Sequence, residues 1–213
     1  MSHDDFHVEP IKGLPEPLPK GENMLWQGRP DWLALSRDAL LAHWVLGYFA
    51  FLALWRFASL IDIVPLGQSM FATIPMLIMG LVAAGILAFF SAIMARLTVY
   101  TVTDARVVMR IGVLLTLTLN LPYRQIANAM LELRENGTGT IAFETMNKTK
   151  LSYLVLWPHM RPWHMARTQP ALRCIPNAQH VADLIADAAE ARLSVPQVSR
   201  VIGVEPSSAV AAE

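Results

Sequence analysis

Two long apolar runs dominate the pattern of this chain. Between Asp38 and Arg56 stands ALLAHWVLGYFAFLALW, seventeen residues with no formal charge and one titratable group, His43. Extended to Ile61, the run makes a helix of about 35 Å, enough to cross a bilayer with some tilt. Arg56 then lies near its far end, where the long stem reaches the headgroups. The second run, Ile63 to Ala95, contains no Asp, Glu, Lys or Arg. A turn at VPLGQS, favoured by Pro65 and Gly67, places the second span at Ser69–Ala95. Pro75 falls early enough to be tolerated with a kink, and Gly80 and Gly85 allow close helix packing. Neither run carries the polar stripe of a solvent-facing helix, so together they predict a two-helix transmembrane hairpin.

The period changes after Ala95. RLTVYTVT and ARVVMRIG are β-branched runs separated by the turn former Asp104, and VLLTLTLNLP alternates apolar residues with Thr116, Thr118 and Asn120. Two more strands flank Asn136-Gly137, a hairpin signal. LSYLVLWP and Ala171–Ile175 bring the expected total to about seven strands. The period then becomes helical in AQHVADLIADAAEARL, with Val181, Leu184, Ile185 and Ala188 on one face, Asn177 as N-cap and Pro196 just beyond. These elements predict an α+β membrane protein: the transmembrane hairpin, then a small antiparallel β-barrel or sandwich capped by a C-terminal helix. The expected divisions are an arm at 1–38, the hairpin at 39–95, the β-domain at 96–192 and a disordered tail at 193–213.

Composition fits that order. The 213 residues are 54% hydrophobic and 16% charged, against about 25% charged in an ordinary soluble domain. A formal net charge of zero leaves no excess positive charge for nucleic acid. The arm is polar and rich in proline, lacks an apolar core behind basic residues, and so reads as no cleavable signal. Arg29 and Arg37 precede the first span and Arg96, Arg106 and Arg110 follow the second, whereas the loop between carries only Asp62. The positive-inside rule then sets both termini in the cytoplasm, with Trp26, Trp32, Trp44 and Trp55 as interfacial anchors. The single cysteine, Cys174, excludes an intrachain disulfide and reads as a small buried hydrophobe.

GENMLWQGRP at 21–30, YTVTDARVVMRIGVL at 100–114 and LPYRQIANAMLELRENGTGTIAF at 121–143 resemble the bacterial pleckstrin-homology-like (PH-like) membrane proteins. In that family a GE…LW.GRP segment precedes a transmembrane hairpin, and a Y.VT..R strand opens the β-domain. Within the group, LWPHMRPWHMARTQPALRCIP at 156–176 and AQHVADLIADA are similar to the photosynthetic-complex assembly proteins of purple bacteria. The resemblance implies a PH-like cytoplasmic domain and a multi-pass protein of the bacterial inner (intracytoplasmic) membrane. It also implies a role in building the reaction centre–light-harvesting 1 complex. The partners it implies are reaction-centre and light-harvesting 1 subunits and membrane lipids, with self-association as a homodimer.

No phosphate-binding loop, nucleophile elbow or zinc-protease helix is present, and a non-enzymatic role is expected. His43, with Ala39 one expected turn before it, resembles the pigment-binding helices of antenna proteins, whose neutral imidazole ligates bacteriochlorophyll magnesium. The alternative is an interfacial histidine bonded to headgroup, water or a neighbouring helix. His159 and His164 make at most an incomplete metal site. Arg161 and Trp163 are the first candidates for a partner-docking surface. Arg96, Arg106 and Arg110 either meet anionic headgroups or only set topology. The leading expectation is an assembly factor; a bacteriochlorophyll carrier using His43 and a general PH-like envelope or lipid-sensing protein remain alternatives.

Overall fold

The computed structural model describes residues 13–14, 16–112, 116–146, 152–165 and 167–194. The tail expected at 193–213 falls outside them beyond Ser194. A strand β1 (Met24–Gly28) is followed by three helices: α1 (Trp32–Asp38), α2 (Ala42–Leu60) and α3 (Leu66–Leu97). Then come β2 (Val99–Thr103), β3 (Arg106–Ile111), β4 (Leu117–Pro122), a 3-10 turn at Tyr123–Gln125, β5 (Ile126–Leu133) and β6 (Gly139–Thr145). One helical turn, α4 (Tyr153–Leu156), leads to β7 (Ala171–Ile175) and the closing helix α5 (Ala178–Ser194).

The helices α2 and α3 form an antiparallel hairpin whose buried positions are small: Ala42 and Ala53 on α2; Ser69, Gly80, Ser91 and Ala95 on α3. At Gly80 the approach is closest, since a Cβ there would lie 2.7 Å from Cβ of Phe49; at Gly85 it would meet nothing. α3 is long and apolar enough to cross a membrane. α1 and α2 pass the same test only as a pair bent by 55°.

That bend corrects the expected single helix starting at Ala39. Asp31 caps α1 by accepting the N–H groups of Leu33 at 2.7 Å and Ala34 at 3.0 Å. α1 lies beside the end of α3, where the Ser91 hydroxyl donates to the Trp32 carbonyl at 2.6 Å. The chain therefore has to turn before it can descend along α3. Leu41 makes that turn in the left-handed region, with φ +53°.

Seven strands are present among the described residues, but they are not the seven expected. LSYLVLWP contributes the turn α4, ended by Pro158, which has no N–H for a ladder. The missing strand is β1, hidden in the proline-rich arm and paired with β2 through Trp26↔Val102 and Gly28↔Tyr100. Nor do the strands close into a barrel. They form antiparallel sheets ordered β1-β2-β3-β4 and β5-β6-β7, and the 3-10 turn carries the chain from one to the other. Tyr100, Val102, Met109, Phe143, Leu172 and Ile175 fill one shared core, which α5 covers with Val181, Ile185 and Ala188 as its helical period requires.

The Gly80–Phe49 contact predicts a contrast between two substitutions. Gly80→Val should weaken the hairpin by about 1–3 kcal/mol through overpacking, and Gly85→Val should be tolerated. Thermal or SDS unfolding of the full chain in detergent measures both; equal losses would remove Gly80 as the packing point.

Candidate functional site: the foot of the β-module

Only Thr98 separates the end of α3 from the start of β2. β2 is buried at all five positions. Directly above the end of α3, His159 is clamped between two residues of this segment. Its Nε2 lies 3.1 Å from Thr98 Oγ1 and its Nδ1 lies 2.6 Å from the Tyr100 hydroxyl. The phenol oxygen also accepts the Arg173 backbone N–H at 3.4 Å, so its own proton is free to go to Nδ1. This assigns the neutral ring with its proton on Nε2, donated to Thr98. Burial, helped by the nearby Arg173 guanidinium, lowers the His159 pKa from 6.5 to about 3. Burial likewise holds Tyr100 far above the usual phenol range.

β7 joins this joint to α1. The Cys174 carbonyl accepts the Asp31 N–H at 2.7 Å. Arg173 is buried and donates to the carbonyls of Pro158 at 3.3 Å and Asp38 at 3.2 Å. The Asp38 carboxylate pairs with Arg134 at 2.6 Å and lies 3.5 Å from the Cys174 thiol. Burial pushes that thiol up to about 12, so Cys174 is the inert buried residue expected. Beside it an open, mixed-charge groove of about 500 Å³ runs between α1 and the β5–β6 turn, lined by Arg37, Asp38, Leu133, Arg134 and Glu135 among others.

The residues singled out in the sequence do not form one site. His43 is exposed on the first turn of α2, its ring 5.8 Å from that of Trp44, with no hydrogen-bond partner among the described residues. Ala39 is not one turn before it on the same helix. The break at Leu41 intervenes, and Ala39 packs against Ala34, Leu35 and Cys174. Arg161 and Trp163 also part company. Arg161 turns inward to Gln169 Oε1 at 3.3 Å and Met130 Sδ at 3.2 Å, whereas Trp163 is 87% exposed.

Arg96 is exposed on the last turn of α3, and Arg110 pairs in register with Val99, close to the joint. Arg106 sits at the other end of β3. Its Nε meets Glu22 Oε1 at 2.9 Å, and the same carboxylate oxygen takes the Thr103 hydroxyl at 2.7 Å. Arg106 is thus neutralised within the turn and is withdrawn as a headgroup contact. His159 is the residue whose role sequence reasoning missed, because its partners lie about sixty residues away in the chain.

A two-sheet module closed by a C-terminal helix, rooted in an apolar helical stem, is PH-like in architecture. The chain belongs to the bacterial PH domain family, which it matches over residues 42–189. It is also 42% identical, over 93% of its length and 94% of the other protein's, to an uncharacterized 23.7 kDa protein in the puhA 5′ region of Rhodobacter capsulatus. No solved structure matches the chain.

Two outcomes follow from the joint. The folded pKa of His159 lies below its unfolded value of 6.5, so the unfolded chain binds the additional proton between them. Stability should therefore fall as pH drops below about 6.5, by up to about 1.4 kcal/mol per unit. Denaturant unfolding between pH 7 and 5 should show that slope in the native chain. His159→Gln, which keeps a donor and an acceptor, should flatten it; an unchanged slope would place the proton elsewhere. A thiol-reactive dye at pH 8 should label Cys174 only after unfolding, and fast labelling of the folded chain would contradict its burial.

Proposed function

We propose that the protein is a non-enzymatic assembly factor for the photosynthetic reaction centre–light-harvesting 1 complex, of the kind represented by the purple-bacterial assembly protein PuhB. The observation that carries the reading is the 42% identity, over 93% of the chain, to a protein of the puhA 5′ region in a photosynthetic bacterium. In this reading α1–α2 and α3 both span the inner membrane, with the β-module and both termini cytoplasmic. Arg29, Arg37 and Arg96 flank the hairpin on the module's side, and the far turn carries only Asp62.

The hairpin spends its small residues on itself and turns its large ones outward. Trp44, Tyr48, Phe51 and Trp55 fall within one narrow arc of α2, and all four are exposed. This stripe is the face offered to client helices, and a second copy of the chain would use it in a homodimer. Arg96 and Arg110 face the headgroup layer. A factor of this design holds an incomplete complex through surfaces that later subunits cover, then leaves.

A second reading, bacteriochlorophyll delivery, keeps one supporting observation. His43 is exposed, with no hydrogen-bond partner among the described residues, and a side chain at Gly47, one turn on, would meet nothing within 4 Å. His43 would hold the pigment magnesium through its imidazole, and Gly47 would leave room for a flat ring. Ala39 takes no part.

The test is gentle purification of the tagged full-length chain from photosynthetically grown purple bacteria, with co-purifying polypeptides identified and near-infrared absorption recorded. Reaction-centre or light-harvesting 1 subunits should co-purify, and Phe51→Ala with Trp55→Ala should reduce their recovery severalfold. Pigment lost in His43→Ala, with polypeptides retained, would add the carrier role. Neither client nor pigment after crosslinking would leave a general PH-like envelope protein.

A further inference from the structure

β7 lies across the foot of the helical hairpin. One end is tied to α1 through Asp31 and Asp38. The other is tied to the end of α3, since the Ala171 N–H donates to the His159 carbonyl at 3.1 Å and the His159 ring meets Thr98. Beyond Ala171 the chain continues as a small stem, in which Met160 pairs with Pro170 and the Arg161 N–H donates to the Gln169 carbonyl at 2.9 Å. The inward guanidinium of Arg161 braces that stem against Gln169 and Met130. Its tip therefore sits on a rigid base a few residues from the point where α3 ends.

The tip turns two large apolar side chains outward, on either side of His164. Trp163 is 87% exposed and Met165 65%, and Trp163 is held at φ +65°, a region bulky side chains rarely occupy. The segment's own charge has one sign. Arg167 is exposed beside the tip, and the sequence holds no Asp or Glu between Glu144 and Asp183. Tryptophan favours the membrane–water interface, and basic side chains favour an anionic cytoplasmic leaflet.

We propose that this tip is a third membrane anchor: Trp163 and Met165 enter the interfacial layer of the bilayer that holds the hairpin, and Arg167 meets its anionic headgroups. The inference rests on the membrane placement of the hairpin and is independent of any client. Closeness to the helix exit and a segment that carries basic but no acidic side chains favour lipid over a protein partner. With the joint at Thr98 and the tip both fixed, the β-module is held at one orientation over the membrane.

The experiment uses the full-length chain in nanodiscs of phosphatidylcholine with phosphatidylglycerol, without other proteins. Trp163→Cys carries an environment-sensitive fluorophore, with Phe89→Cys on α3 and Glu190→Cys on α5 as membrane and aqueous references. Lipids bearing a nitroxide near the headgroup should quench position 163, deep nitroxides should quench 89, and neither should quench 190. Arg167→Glu should reduce quenching at 163 severalfold in discs containing phosphatidylglycerol and little in phosphatidylcholine alone. Full access of position 163 to an aqueous quencher, with 89 still quenched by lipid, overturns the anchor and spares the hairpin. Loss of quenching at 89 overturns the hairpin itself. Protection of 163 only when reaction-centre subunits are added makes the tip a client-docking surface and equally overturns the lipid assignment.

Discussion

The single residue between α3 and β2 constrains everything else in the molecule. A helix end leaves its last carbonyls without partners, and a buried strand must have its backbone groups paired on both sides. Here the two demands meet at adjacent residues. The Thr98 N–H still serves the helix, donating to the Met94 carbonyl at 3.0 Å, while Val99 is already paired with Arg110. No linker remains to absorb rotation. The direction of β2, and with it the whole first sheet, follows from the direction of α3.

Such a joint holds only if the polar groups around it are satisfied, because a partly satisfied buried network is worse than an apolar one. His159 supplies one ring nitrogen to Thr98 and the other to Tyr100 of β2, and its neutrality avoids placing a second buried cation beside Arg173. The Arg173 guanidinium is answered by backbone carbonyls of α1 and the His159 loop instead of by a carboxylate. It therefore fastens two chain segments to β7. Its Nε has no partner among the described residues, a cost accepted at the place where three segments have to be kept in register.

Much of this was legible in the sequence, for reasons that differ by element. The apolar lengths of α2 and α3, the alternation of β4 and the helical face of α5 are local patterns. The family motif was legible only as a resemblance, and its physics appears when its parts meet. Glu22 of GENMLWQGRP closes on Thr103 and Arg106 of YTVTDAR, and the Tyr123 hydroxyl donates to the Thr103 carbonyl at 2.7 Å. The failures are tertiary. Nothing apolar or polar marks Leu41 as a break, because the break comes from docking α1 onto β7 and α3. β1 lacks a strong strand pattern, since its value lies in covering the β2 edge. The same docking moved Ala39 away from His43, and the Glu22 pair took Arg106 from the candidate headgroup set.

The distribution of side-chain size over the hairpin ties architecture to the proposed role. Lipid tails are as apolar as leucine, so helices in a bilayer associate through close packing and hydrogen bonds, not through burial of greasy surface. α2 and α3 meet through Gly80 and other small residues, and the Arg56 guanidinium adds a bond to the Ala72 carbonyl at 3.0 Å. That pairing leaves the aromatic arc of α2 unused. Trp44 and Trp55 toward its two ends suit the membrane interfaces, but Tyr48 and Phe51 align with them in between, and the Tyr48 hydroxyl calls for a partner. A hairpin that receives a third helix gains broad, rigid contact area from that alignment. In the proposed role, the rigid joint at Thr98 would keep this face in a fixed relation to the β-module, so that both would engage the same client at once.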